Sequence, residues 1–262
     1  MKLTINNNKK DTLIALFQII KNSTCFCNMM FKDKYIHIQG MDKTHVCLFN
    51  VVISNGWFDE YERNIEEDSD NICFDSSIFH SIISSKNDSN ILKIHFEGNA
   101  DYLNIDLISD NKNKNKIKGD FDKHFKIPLT EFDYDVMELP DVEYDADFCI
   151  NSKKICEITS QMLQFGNELN VICDEEKIHL ITKGINGEML VNIPIEDLDE
   201  YSIVEGEQLD LLYSLTYIDK LCLTNKLSQT INFSISKDFP MKISYDLGDN
   251  SNVIFYIAPK TS

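Results

Sequence analysis

The chain repeats itself. Ile5-Asn6-Asn7-Asn8-Lys9-Lys10 leads into a helical pattern, and so does Ile150-Asn151-Ser152-Lys153-Lys154. In each half a strand and a charged turn follow, Lys32-Asp33-Lys34 or Asp174-Glu175-Glu176-Lys177. Similar text comes next: Lys34-Tyr35-Ile36-His37-Ile38 against Lys177-Ile178-His179-Leu180-Ile181, then Gly40 or Gly184 before another apolar strand. Self-similarity of this kind means one domain design used twice, so an assignment made in one half constrains the other.

The later parts correspond as well. Residues 75–86 read as a short helix followed by strands at 91–97 and 102–108, and residues 207–223 as a helix followed by strands at 230–236 and 241–246. The expectation is an α+β chain with two similar domains, 1–118 and 141–262, joined by a linker at 119–140. Asp110-Asn111-Lys112-Asn113-Lys114-Asn115-Lys116 has almost nothing to bury and reads as a loop tip. Residues 132–140 mix acids with apolar side chains and end at Pro140, which suits an extended connection.

A first helix over 8–22, with Asn8 as N-cap, puts Leu13, Leu16, Phe17 and Ile20 on one face and Lys10, Gln18 and Lys21 on the other. In the second, Ile78, Phe79, Ile82 and Ile83 are expected inside and His80 outside. The third hides Ile155, Ile158 and Met162. The fourth hides Leu211, Leu212, Leu215, Ile218 and Cys222, with Tyr217, Asp219 and Lys220 turned outward.

Composition narrows the function. With 25 Lys plus Arg against 43 Asp plus Glu, the net charge is −18, which disfavours a generally basic nucleic-acid binder. Yet the outward helix faces carry few acids, Asp11, Glu157, Asp210 and Asp219, which is either the chance distribution of four short helices or a surface kept available for a polyanion. The first 20 residues are broken by Asn and Lys, unlike a secretory leader, and no later segment approaches the roughly 20 apolar residues of a membrane span. A soluble intracellular protein with reduced thiols is expected, because the eight cysteines lack an export context. Cys25-Phe26-Cys27 has no second pair to complete a zinc set. The phosphate-loop, nucleophile-elbow and zinc-protease motifs are absent, and acidic pairs such as Glu175-Glu176 sit in polar loops, so a carboxylate-pair hydrolase has nothing to stand on.

Three further runs, in this order and separation, carry a resemblance: Gln39-Gly40-Met41-Asp42-Lys43-Thr44-His45-Val46-Cys47-Leu48, Met137-Glu138-Leu139-Pro140, and Phe255-Tyr256-Ile257-Ala258-Pro259-Lys260. Together they resemble the proliferating cell nuclear antigen family of DNA sliding clamps over essentially the whole chain. The resemblance implies the DNA clamp fold, with antiparallel sheets outside and four helices facing a central hole, closed as a homotrimeric ring on double-stranded DNA. It implies no catalytic activity and no cofactor. It also implies partners held through short peptides: DNA polymerase, flap nuclease, ligase and a clamp loader.

Carried over residue by residue, the partner-peptide pocket falls on Met41, His45, Val46, Leu48, Met137, Leu139, Pro140, Pro240, Tyr256, Ile257, Ala258 and Pro259. These are types that make a deformable apolar groove. The DNA-facing set is Lys9, Lys10, Lys21, Lys153, Lys154 and Lys220. Other basic positions of the family fall on Ser81, Ser84, Glu157, Ser160, Thr216 and Leu223, and its ubiquitin-carrying lysine falls on Glu175. That departure keeps open a clamp-like subunit acting in a hetero-ring or as a monomer. The implied location is the nucleus, or a cytoplasmic replication site for a large DNA virus.

Overall fold

A computed structural model describes residues 1–63, 71–85, 90–97, 101–109, 121–131, 136–139, 142–222 and 226–260. The expected loop tip at 110–118 and Pro140 lie outside the described residues. Two compact units are present, the first formed by Met1–Met41, Asn50–Val136 and Leu247–Asn252 and the second by Asp42–Phe49, Met137–Asp246 and Val253–Ser262.

The first half of the chain runs β1 (Lys2–Ile5), α1 (Asn7–Ser23), β2 (Phe26–Phe31), β3 (Tyr35–Met41), β4 (Cys47–Ser54), β5 (Glu60–Glu62), β6 (Asn71–Asp75), α2 (Ser76–Ile83), β7 (Asn90–His95), β8 (Tyr102–Ser109) and β9 (Lys123–Pro128). The second runs β10 (Ala146–Asn151), α3 (Ser152–Met162), β11 (Glu168–Cys173), β12 (Lys177–Gly184), β13 (Gly187–Pro194), β14 (Glu200–Ile203), β15 (Leu209–Ser214), α4 (Leu215–Cys222), β16 (Thr230–Ile235), β17 (Met241–Gly248) and β18 (Ser251–Ile257). The repeat therefore holds element by element. Strand order β5-β1-β7-β8-β9 in the first half matches β14-β10-β16-β17-β18 in the second, and β4-β3-β2-β6 matches β13-β12-β11-β15. Strands with defined register pair antiparallel, for example Leu92 opposite Leu107 and Val171 opposite Leu180.

In α1, Leu13, Leu16, Phe17 and Ile20 are buried as their spacing requires, and Ala15 and Ile19 widen the stripe. Its N-cap is Asn6 rather than Asn8; the Asn6 carbonyl accepts the Lys9 and Lys10 N–H groups at 3.2 and 3.3 Å. Asp75 caps α2 by accepting from the Ser77 and Ile78 N–H groups, both at 2.9 Å. The buried arc of α2 differs from the expected one: Ser76, Phe79, His80 and Ile83 face in, an i, i+3, i+4, i+7 set, while Ile78 is 48% exposed. Phe17 and Phe79 pack with ring centroids 4.4 Å apart, and Phe74 lies 4.9 Å from Phe79. Each such buried ring contributes about 2–3 kcal/mol.

Two further expectations are corrected. Helical spacing places residues 207–214 inside the fourth helix, but 209–214 form β15, paired with β11 from Leu209 opposite Cys173 to Ser214 opposite Glu168. The expected linker also contains β9, whose residues Lys123–Pro128 extend the first unit's sheet beside β8.

The first unit is completed by a late piece of chain. The Trp57 indole N–H donates to the Leu247 carbonyl at 3.1 Å, and the Ser54 N–H to Ser251 Oγ at 2.9 Å. The eight cysteines are free, and all except Cys25 and Cys156 are buried.

Candidate functional site

The second unit brings three distant stretches together: the 42–49 segment, residues 137–139, and the end of β18 with its continuation. Strand alternation decides which side chains each presents. Val46 and Leu48 are half-buried while Cys47 and Phe49 are core; Tyr256 and Ala258 are half-buried while Phe255 and Ile257 are core. The Ala258 N–H donates to the Val46 carbonyl at 3.0 Å and ties the two stretches together. Met137 and Leu139 are half-buried, and Pro240 and Pro259 are exposed. Ile257 departs from the expected set: at 0% exposure it belongs to the core, because a one-residue step along a strand reverses the face. Met41 ends the first unit's opening segment.

The 42–47 loop is built around one carboxylate, a member of the first motif to which the sequence assigns no role. Asp42, 6% exposed, accepts at Oδ1 from the Val46 and Cys47 N–H groups at 2.8 and 2.7 Å. At Oδ2 it accepts from the Thr44 N–H at 2.9 Å, Thr44 Oγ1 at 2.5 Å and Tyr217 Oη at 2.8 Å. Thr44 Oγ1 and Tyr217 Oη are also 2.6 Å apart, so two hydroxyl protons serve three close oxygen pairs. Burial alone would push this carboxyl up. The hydrogen bonds from Thr44, Cys47 and Tyr217 outweigh it and hold Asp42 well below the usual carboxylate range.

A carboxylate gripped in this way stiffens the loop and sets what it displays. The His45 N–H donates to the Asp42 carbonyl at 3.0 Å, and His45 takes φ 58°, a left-handed conformation costly for a residue with a Cβ. Its ring is thereby left exposed beside half-buried Val46.

On the helices the expected lysines fare unequally. Lys153 and Lys154 are exposed at the start of α3, where their N–H groups are capped by Asn151 Oδ1 at 3.1 and 3.2 Å. Lys220 is exposed, with its Nζ 5.6 Å from the Tyr217 ring centroid. Lys21 is half-buried and donates to His80 Nδ1 at 3.0 Å. Burial, and then the Lys21 ammonium, push the His80 imidazole below its usual value, consistent with a neutral ring accepting this bond. Lys9 donates to the Trp57 carbonyl at 2.8 Å and to Asp249 Oδ2 at 2.5 Å. Lys10, expected on the surface, is only 6% exposed and leaves the DNA-facing set. Asp219, also expected outward, is buried and accepts from Thr159 Oγ1 at 2.9 Å and Ser160 Oγ at 3.0 Å. This withdraws a negative charge from the exposed face of α4.

Among the described residues no group of three or more His, Cys, Asp or Glu side chains is placed to hold a metal ion, and no helix is long and apolar enough to cross a membrane.

Known proteins resemble this chain in sequence over nearly all of its length. Residues 3–136 match the family described as Proliferating cell nuclear antigen, N-terminal domain, and residues 138–260 match Proliferating cell nuclear antigen, C-terminal domain. The Proliferating cell nuclear antigen of Chaetomium thermophilum is 24% identical over 248 residues, covering 92% of this chain and 91% of its own. Proliferating cell nuclear antigen 2 of Drosophila melanogaster is 20% identical over 255 residues, covering 97% and 94%. With its two halves matching the two domains of one family, the chain belongs to the proliferating cell nuclear antigen family of DNA sliding clamps.

Proposed function

We propose that the chain is a DNA polymerase processivity factor that works without catalysis. Three copies close into a ring around duplex DNA, and the apolar surface beside the 42–47 loop tethers polymerase, flap nuclease, ligase and clamp loader through short peptides. The loop supports this most directly. A buried carboxylate with five hydrogen bonds fixes the Val46 backbone, whose carbonyl accepts from the Ala258 N–H, and so supplies a preformed apolar floor that lowers the ordering cost of binding a peptide.

Ring closure is supported by two dissimilar sheet edges. β9 ends its sheet and carries Lys123, His124 and Lys126; Phe121 just before it is exposed. β13 ends the four-stranded sheet β13-β12-β11-β15 and carries Glu188 and Leu190, the latter 50% exposed, with Ile185 fully exposed before it. Unpaired edges bearing apolar side chains are an aggregation hazard unless paired, and pairing two different edges of identical chains is a head-to-tail contact that can close a ring.

Replication and repair in the nucleus is the setting this reading implies, or a cytoplasmic replication site for a large DNA virus. A second reading, a clamp-like subunit of a hetero-ring or a monomeric accessory factor, draws support from the burial of Lys10 and the pairing of Lys9 with Asp249, which thin the basic surface. Native mass measurement combined with retention on DNA tests both. A trimer held on closed circular DNA and lost from linear DNA is expected, and a stable monomer at micromolar concentration overturns the homotrimer. Leu190→Glu is expected to break the trimer.

A further inference from the structure

Beyond the floor of the partner site, the second unit presents a cation on an aromatic ring. The turn from β16 to β17 carries Phe239 and exposed Pro240, and alternation along β17 then places Lys242 on the half-buried face between core residues Met241 and Ile243. Tyr144 meets this turn: its ring packs edge-on against Phe239 with centroids 6.4 Å apart, and Lys242 Nζ lies 5.2 Å from the Tyr144 centroid. Burial first, then the nearby Tyr256 and Asp147, push the Tyr144 phenol up to about 12, so the ring stays neutral beside the ammonium.

Lys242 shares with Lys220, on the Tyr217 ring, an aromatic partner in place of a carboxylate; what distinguishes it is its place two residues after Pro240. Lys2, Lys9, Lys183, Lys237 and Lys260 each reach a carboxylate. Lys242 makes no ion pair among the described residues, in a chain with 43 acids. An ammonium resting on a ring is partly desolvated, and an incoming carboxylate need not displace an internal one. The chain's net charge of −18 disfavours acidic peptides in general, so only one that sets its acid on this lysine gains.

Resting on the partner-peptide reading above, we propose that Lys242 is a specificity-determining residue. It reads an Asp or Glu next to the aromatic anchor of a partner peptide, while Tyr144, Phe239, Pro240 and Tyr256 receive the anchor itself.

The test uses the full chain and two synthetic peptides that share an apolar plug and an aromatic anchor but carry Glu or Gln directly after the anchor, with binding read by fluorescence anisotropy. The Glu peptide is expected to bind about fivefold more tightly at low salt, the upper range for a partly exposed pair, and the gap is expected to narrow at high salt. Lys242→Met is expected to close the gap and Lys242→Arg to preserve it. Equal binding of both peptides to the unaltered chain overturns the proposal and leaves the pocket standing, as does a preference that survives in Lys242→Met. Failure of both peptides to bind overturns the pocket and this reading with it.

Discussion

Tyr217 Oη donates to Asp42 Oδ2 at 2.8 Å across 175 residues of sequence, so a side chain of α4 helps set the 42–47 loop. Asp42→Ala leaves the Val46, Cys47 and Thr44 N–H groups and the Tyr217 hydroxyl without this acceptor and is expected to cost about 2–3 kcal/mol. Tyr217→Phe removes one donor and is expected to cost about 1 kcal/mol. Because the two groups share a network, the double variant is expected to lose less than the sum of the singles in urea unfolding; additive losses would show that the two side chains are not coupled.

The same carboxylate predicts a pH dependence. Its folded-state pKa is depressed, so its contribution is fully present above the unfolded value of about 4 and is lost as pH falls toward the folded one. Urea midpoints of the unaltered chain should therefore drop more steeply below about pH 4 than those of Asp42→Asn, which keeps the side-chain shape without the titration. Parallel profiles would count against the account.

At the proposed partner site, Leu139→Ala combined with Tyr256→Ala is expected to weaken peptide binding by about 2 kcal/mol or more, since both side chains are half-buried and large enough to receive a peptide anchor. Native mass of the double variant should be that of the unaltered assembly. Undiminished peptide affinity, measured by titration calorimetry, would move the site elsewhere.

For DNA binding, the exposed pair Lys153 and Lys154 is expected to matter and buried Lys10 is not. Replacing both exposed lysines by Ala should flatten the dependence of binding on salt by about 0.9 in log–log slope for each phosphate no longer neutralised. Lys10→Met should leave that slope unaltered. The opposite ranking would reverse the assignment of these faces.

Much of this is legible in the sequence because it is written in periodicity. The α1 stripe Leu13, Leu16, Phe17 and Ile20 has one spacing that fits one helix face, and all four are buried. The error at β15 has the same origin: Leu211, Leu212, Leu215 and Ile218 satisfy a helical spacing, while Leu209 and Tyr213, both fully buried, share a strand face in step with β11. The repeat itself holds the correction, since β6 precedes α2 as β15 precedes α4. Ile257 enters the expected pocket through its motif, where only strand parity shows that it points inward. Asp42 and Tyr217 have no local signature of their meeting; their pairing exists only once the second unit has closed.

The first unit needs residues 247–252, which carry the Leu247 carbonyl for the Trp57 indole, Ser251 Oγ for the Ser54 N–H and the Asp249 carboxylate for Lys9. During synthesis these groups leave the ribosome after nearly all of the other half. The early half must therefore wait, incompletely hydrogen-bonded, until the late half has been made. A chain released at residue 246 would damage the fold at the end made first.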